Sequence, residues 1–90
     1  MDSLFQAGDI VQSLSGHDKN KLFLVLSIDK FGFLAIINGR SRKIGYPKRK
    51  NPKHVKFVAN DENLLKRLNS PTITNAELYK LINAYKNNLE

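Results

Sequence analysis

The chain has 90 residues, of which 41% are hydrophobic, and it contains no cysteine. This length predicts one small domain, and the lack of cysteine excludes disulfides, thiolate metal sites and a cysteine nucleophile from this chain, while fitting a reducing compartment. The formal net charge of +7 favours a polyanionic partner, nucleic acid ahead of an anionic membrane surface.

The first seven residues lack the basic region and the apolar core of a secretory signal peptide. Further along, no apolar run approaches the roughly 20 residues that are needed to span a bilayer. We therefore expect a cytoplasmic protein without a membrane segment.

Short apolar runs separated by turn formers come next, which is the pattern of antiparallel strands. The predicted strands are Asp9–Leu14, Leu22–Ile28 and Phe33–Ile37. A polar loop over Ser15–Lys21 joins the first two strands, and a tight turn over Asp29–Gly32 precedes the third.

The dipeptide Asn38-Gly39 is the strongest local turn signal, because both residues tolerate the positive φ of a type I′ hairpin turn. It predicts that the next strand runs through Ser41–Tyr46. A loop over Lys48–Asn51 and a last short strand over His54–Val58 follow. Five short antiparallel strands in about 50 residues favour a mainly β fold, a small SH3-like barrel.

The central predicted strands are apolar on both faces. In the second strand Leu22, Leu24 and Leu26 alternate with Phe23 and Val25, so the two sets point to opposite faces of the sheet. Both faces should therefore be covered. The barrel interior would cover one face, and another part of the chain must cover the second.

The C-terminal third has helical spacing. A short helix from Asn60 ends before Pro71, and Thr74 and Glu77 form the capping box of a second helix. The apolar stripes are Leu64, Leu65 and Leu68 in the first helix and Leu78, Leu81, Ile82, Tyr85 and Leu89 in the second. We predict that this helical pair packs on the outer face of the barrel, with the barrel over 1–58 and the extension over 59–90. The alternative is that the second stripe docks on another macromolecule.

The excess positive charge lies in one segment, residues 39–56. This basic segment holds eight of the fifteen cations and none of the eight carboxylates, so the rest of the chain is close to neutral. The eight cations are Arg40, Arg42, Lys43, Lys48, Arg49, Lys50, Lys53 and Lys56. Because clustered like charges repel unless a polyanion lies against them, we predict a phosphate-binding surface; the alternative is a solvated basic loop. Glycines and prolines interrupt the segment and prevent a basic amphipathic helix, which disfavours membrane binding.

Tyr46 and His54 lie among these cations. A planar ring beside positive charge suits stacking on nucleic-acid bases. Catalysis has no comparable signal, because His17 adjoins Asp18 but no nucleophile accompanies them, and no spacing matches a metal site or a phosphate-cradling loop. We expect a protein that is not an enzyme and uses no cofactor, metal or small-molecule substrate.

Residues 8–26, Gly-Asp-Ile-Val-Gln-Ser-Leu-Ser-Gly-His-Asp-Lys-Asn-Lys-Leu-Phe-Leu-Val-Leu, resemble a KOW motif, the strand–loop–strand RNA-binding unit of several ribosomal and transcription proteins. Gly39-Arg40 with Pro47-Lys-Arg-Lys-Asn-Pro-Lys-His-Val55 resembles, more narrowly, bacterial KOW-domain proteins. These are related to the archaeal and eukaryotic large-subunit ribosomal proteins of the fourteen-e and twenty-seven-e types. The resemblance covers roughly residues 7 to 58.

The resemblance implies an SH3-like barrel that binds RNA and associates with ribosomes. Its strand-joining loop and its later basic loop would contact RNA, and we expect the hairpin between them to add contacts. The candidate RNA-binding residues are Gly16, His17, Lys19, Lys21, Arg40, Arg42, Lys43, Tyr46, Lys48, Arg49, Lys50, Lys53 and His54. Asn20 stands where the family usually has glycine, and asparagine is the next best residue for a left-handed conformation.

We therefore expect a monomeric module that binds ribosomal RNA of the large subunit, or another structured RNA, with lysines that position phosphates more than they read bases. If about four to six cations reach phosphates, the log–log salt slope of binding is about −3 to −5. Two alternatives remain open. One is an SH3-like protein-interaction module with an acidic partner, and the other is a KOW transcription factor that contacts polymerase.

Overall fold

The computed structural model describes residues 4–89. Residues 1–3, which belong to the segment predicted to hold no signal peptide, and residue 90, the end of the predicted extension, lie outside the described residues. The strands are β1 (Asp9–Ser13), β2 (Leu22–Ile28), β3 (Leu34–Ile37), β4 (Lys48–Lys50) and β5 (Val55–Asn60), and the helices are α1 (Glu62–Arg67) and α2 (Asn75–Asn83). Two 3₁₀ segments, Pro52–His54 and Ala84–Asn88, precede β5 and follow α2.

The strands form one five-stranded sheet in the order β4-β3-β2-β1-β5, and every neighbouring pair is antiparallel. Ile10 lies opposite Leu24, and Leu24 lies opposite Ile37, so the three central strands bring their apolar residues into line. The prediction of a small, mainly β protein with a C-terminal helical extension is confirmed. The strand β2 matches its predicted bounds, and β1 and β3 are each one residue shorter than predicted.

Two apolar clusters lie on the opposite faces of this sheet, as the alternation in β2 predicts. The first cluster contains sheet residues together with three helix residues: Ile10, Leu22, Leu24, Ile37, Leu64, Leu78 and Ile82. The second consists of strand residues alone: Val11, Phe23, Val25, Leu34, Ile36 and Val55. All thirteen side chains are buried. The helical pair therefore covers one face of the sheet, and that this face is the outer face of a barrel stays a prediction.

Both helices begin at a side-chain cap, and the cap at Thr74 is the one that the sequence predicts. The side chain of Asp61 accepts a hydrogen bond from the Leu64 N–H at 2.9 Å, and Thr74 accepts one from the Glu77 N–H at 3.1 Å. Both bonds satisfy amide groups that a helix N-terminus leaves without an intrahelical partner. The Tyr85 hydroxyl donates to the Asp61 carboxylate at 2.6 Å and so ties the end of the extension to the start of α1.

The connection between β3 and β4 differs from the predicted hairpin. Residues 41–46 form turns and bends, so the predicted strand Ser41–Tyr46 is wrong. The predicted loop over Lys48–Asn51 is also wrong, because Lys48–Lys50 is the edge strand β4, paired with Leu34–Ile36 of β3. The last strand begins one residue later than predicted, at Val55, and runs on to Asn60.

The side chain of Asn38 is the physical reason for the wider loop. Its Oδ1 accepts from the N–H groups of Arg40 and Arg42 at 3.0 and 2.9 Å, and the backbone N–H of Asn38 donates to the Arg42 carbonyl at 2.8 Å. The Ile44 N–H donates to Asn75 Oδ1 of α2 at 2.7 Å. Amides that a hairpin would pair across strands thus bond to side chains instead. Gly39, at φ +80°, lies so close to α2 that a Cβ would clash with the Asn75 carbonyl oxygen.

Candidate nucleic-acid interface

The loop between β1 and β2, residues 14–21, is the centre of the candidate interface. Asn20 adopts the left-handed conformation that the sequence predicts, with φ +72°. Its N–H donates to the Ser13 carbonyl at 2.8 Å, and the Ser13 N–H donates to the Lys21 carbonyl at 2.9 Å, which closes the loop. The loop exposes to solvent the candidate residues Gly16, His17, Lys19 and Lys21.

A buried carboxylate holds this loop against β4. Asp18 is 6% exposed and accepts from the Ser13 hydroxyl at 2.7 Å and from the ammonium groups of Lys48 and Lys50 at 2.9 and 3.2 Å. Lys50 is itself 7% exposed, and its ammonium also donates to the Ser15 carbonyl at 3.3 Å. Sequence reasoning placed Asp18 in a turn beside His17 and missed this role.

The surroundings of Asp18 keep it ionised. Burial opposes the charge, but hydrogen bonds from Ser13, Lys48 and Lys50, together with the charge of Lys50, outweigh burial and lower the pKa of Asp18 from 3.8 to about 2. The folded-state pKa therefore lies below the unfolded one. The stabilisation of the folded state by the ionised Asp18 carboxylate is complete above about pH 4 and is lost as the pH falls towards 2.

Acid should accordingly weaken the fold through this cluster. Between pH 5 and pH 2 we expect the Asp18 cluster to lose about 2 kcal/mol of its contribution to the free energy of unfolding. Urea unfolding across this range, compared with the same series for Asp18→Asn, isolates this contribution from those of other carboxylates. An equal pH dependence in both proteins would contradict the assignment.

The 3₁₀ segment Pro52–His54 lies directly beside the same loop. The Leu14 N–H donates to the His54 carbonyl at 2.8 Å. Asn51 caps the segment by accepting from the Lys53 N–H at 2.9 Å. The side chains of Lys53 and His54 are exposed, so this segment adds a further cation next to the loop.

The β3–β4 loop also contributes residues beside the β1–β2 loop. Its candidate residues Arg40, Arg42, Lys43 and Tyr46 are all exposed, and Tyr46 has 75% of its surface open to solvent. Asn38 and Arg40 line one cleft together with Asn20 and Lys21. The structure therefore places part of each of the other two predicted segments beside the β1–β2 loop: Arg40 through this cleft, and His54 through its backbone carbonyl.

The candidate cations divide into two classes. Lys48 and Lys50 pair with Asp18, while Arg49 pairs with Asp29 at 3.1 Å and stacks on Phe33 with its guanidinium 3.9 Å from the ring centre. In the described part of the chain, the remaining candidate cations have no carboxylate within ion-pair distance: Lys19, Lys21, Arg40, Arg42, Lys43 and Lys53. We call these six the free cations. Their role in RNA binding stays a prediction.

Two further features bear on the class of site. Within residues 4–89, no three His, Asp, Glu or Cys side chains lie together in a way that would hold a metal ion. No helix in that same range is both long enough and apolar enough to cross a bilayer.

A comparison with protein-family models found no match, and a comparison with curated proteins found no significant similarity. The KOW resemblance therefore rests on the quoted residues and stays a prediction.

Proposed function

We propose that this protein is a non-catalytic, cytoplasmic RNA-binding module of the KOW type, a monomer that binds large-subunit ribosomal RNA or another structured RNA. The observation that carries the proposal is that the β3–β4 loop and the Pro52–His54 segment, which hold four of the six free cations, both adjoin the β1–β2 loop, which holds the other two. Unpaired cations on one surface form the electrostatic footprint of a nucleic-acid-binding protein.

The path of the chain supports an SH3-like barrel. A flat five-stranded sheet would hold its edge strands about 19 Å apart, at about 4.8 Å per strand. The edge strands β4 and β5 are joined by residues 51–54 alone, including a 3₁₀ turn, and such a link spans only about 14 Å. The sheet must therefore curl. Register shifts at Ile10/Val11 and Val25/Ser27 provide bends of the kind that curl a sheet.

The chemistry of the surface favours a polynucleotide over an acidic protein. Lysines predominate among the free cations, and lysine makes hydrated point contacts that suit a phosphate backbone. The exposed rings of Tyr46 and His54 lie on two of the three segments, where an unpaired base can stack between positive charges.

The test exchanges one free cation in each of two segments. Lys43→Glu with Lys53→Glu should reduce the magnitude of the log–log salt slope of RNA binding by about 2 and weaken binding about a hundredfold at ~0.1 M salt, because two phosphate contacts are lost. Binding is measured by fluorescence anisotropy, with fragments of large-subunit ribosomal RNA as the probe, at several salt concentrations.

The matched control carries the same change in net charge elsewhere. Lys30 lies in the β2–β3 turn and Lys66 on α1, and both are exposed. Lys30→Glu with Lys66→Glu should leave the slope nearly unchanged. Equal losses in the two double variants would mean that net charge, and not this surface, governs binding.

One observation favours the protein-interaction alternative. Phe31, at the tip of the β2–β3 turn, is 70% exposed, with the Lys30 ammonium 5.2 Å from its ring centre. If the wild-type protein binds no ribosomal RNA, while Phe31→Ala abolishes capture of an acidic protein partner, that alternative replaces the proposal.

A further inference from the structure

A small cleft lies between the β1–β2 loop and α2. Three cations line it, one from each of three parts of the chain: Lys21 from the β1–β2 loop, Arg40 from the β3–β4 loop and Lys86 from the 3₁₀ segment after α2. Among residues 4–89, no carboxylate lines the cleft. None of the three cations has an ion-pair partner among residues 4–89.

The orientation of Arg40 is fixed before any ligand arrives. Its guanidinium lies over the ring of Tyr79 on α2, 4.4 Å from the ring centre, and its Nη1 donates to the Tyr79 hydroxyl at 3.1 Å. The planar guanidinium group of Arg40 still has further N–H donors that can bind a second acceptor. Because the side chain is already ordered by this stack, binding an anion costs little conformational entropy.

Two of the three asparagine side chains that line the cleft form hydrogen bonds within the protein. Asn83 donates to the Tyr79 carbonyl at 2.8 Å, and Asn38 donates to the Ser41 hydroxyl at 3.1 Å while its oxygen caps the β3–β4 loop. The donors that face an incoming ligand are therefore mainly the three charged groups, which is the donor set of an anion site.

The size of the cleft limits the ligand. Its volume is about 160 Å³, which corresponds to about five water molecules at roughly 30 Å³ each. A tetrahedral phosphate fits this space, whereas drug-sized ligands need clefts of about 300 Å³ or more. A base would have to remain outside while its phosphate enters.

We infer that this cleft seats one phosphate group between Lys21, Arg40 and Lys86. The inference rests on the proposed function, in which the group is a backbone phosphate of the bound RNA. Tyr79 is then a positioning residue that holds the Arg40 fork. The helical extension, which lies outside the part of the chain that resembles KOW proteins, serves the interface as well as the core.

The experiment uses the full chain with Lys86→Gln and, as its matched control, Lys80→Gln. Both lysines are exposed on the extension, but only Lys86 lines the cleft. We expect Lys86→Gln to weaken RNA binding about five- to tenfold at ~0.1 M salt and to reduce the salt slope by about 1. Lys80→Gln should match the wild type. Identical behaviour of the two variants would overturn the inference and leave the proposed function standing.

Titration with inorganic phosphate separates this inference from RNA binding. In NMR spectra, a saturable shift of the Arg40 Nε–H and Asn83 side-chain amide signals, lost in Lys86→Gln and kept in Lys80→Gln, would support the anion site. If the wild type shows this shift but binds no RNA, the cleft binds free phosphate and the RNA assignment of both proposals fails. Absence of any such shift in the wild type would overturn the site itself.

Discussion

Replacing Asp18 by asparagine is expected to lower the free energy of unfolding by about 3–5 kcal/mol, because the change leaves a buried cation without its counter-charge. Lys50 is 7% exposed, and its ammonium lies 3.2 Å from the Asp18 carboxylate. Asparagine has nearly the shape of aspartate and keeps one acceptor oxygen, so the loss measures charge more than packing. Urea unfolding at pH 7, followed by circular dichroism, gives the difference directly.

The same chemical change in an exposed ion pair serves as the control. Arg67 and Glu77 lie 2.7 Å apart with 46% and 42% of their side-chain surfaces exposed. Glu77→Gln should cost at most about 1 kcal/mol, because water already screens that pair. If Asp18→Asn costs no more than Glu77→Gln, the carboxylate does not hold the β1–β2 loop in the way the distances indicate.

The Asp18 cluster also changes how the predicted RNA-binding residues are tested. Charge reversal of Lys48 or Lys50 would place two carboxylates together in a buried site and would unfold the loop. Loss of RNA binding in such a variant would report stability as much as contact. Apart from Arg40, which stacks on Tyr79, the free cations carry no such ambiguity, since each is exposed and lacks a carboxylate partner within residues 4–89. Tests of the interface therefore belong on Lys43 and Lys53.

Local sequence signals predicted much of the fold because the interactions that decide it are themselves local. The predicted cap at Thr74 lies three residues from the amide that it bonds. Because β2 is apolar on both faces, both faces of the sheet had to be buried. The apolar residues from Leu78 onward have helical spacing, and this helix buries one of the two faces. The positive φ of Asn20 was expected because asparagine stands there where the resembled family has glycine.

The wrong or missing predictions concern residues whose conformation or pairing depends on partners far away in the sequence. The amide of Ile44 bonds to the side chain of Asn75, 31 residues away, and so leaves the predicted strand. Asp18 meets Lys48 and Lys50 across 30 and 32 residues. Charge counting placed these lysines correctly in a basic segment, but it gave no sign that a single carboxylate from another loop engages both of them.

The same limit applies to the candidate site. The cations of the site were predictable from composition, whereas the division into free and paired cations was not, because it depends on which loops meet. Tyr79 and Lys86 were not proposed as site residues, since their helix had the spacing of a core element. The sequence alone carried no signal for the Arg40–Tyr79 stack, whose members lie 39 residues apart.

Truncation after Asn60 leaves all five strands and removes both helices, and it is expected to abolish the folded monomer. The cut exposes the sheet side of the first apolar cluster, where Ile10, Leu24 and Ile37 have no exposed surface and Leu22 has 1%. At about 1.5–3 kcal/mol for each side chain, the loss reaches about 6–12 kcal/mol. That matches the whole stability of a small domain, about 5–15 kcal/mol.

Circular dichroism and light scattering on the truncated chain would show either unfolding or self-association through the uncovered face. Single alanine substitutions in α2 test the same contact with a smaller perturbation. Leu78→Ala removes a fully buried side chain and should cost about 2–5 kcal/mol, whereas Leu81→Ala, which alters a half-buried residue of the same type, should cost clearly less. A truncated protein that stays monomeric and melts at the wild-type temperature would show that the sheet needs no cover, and the helices would then belong to a partner's surface and not to the core.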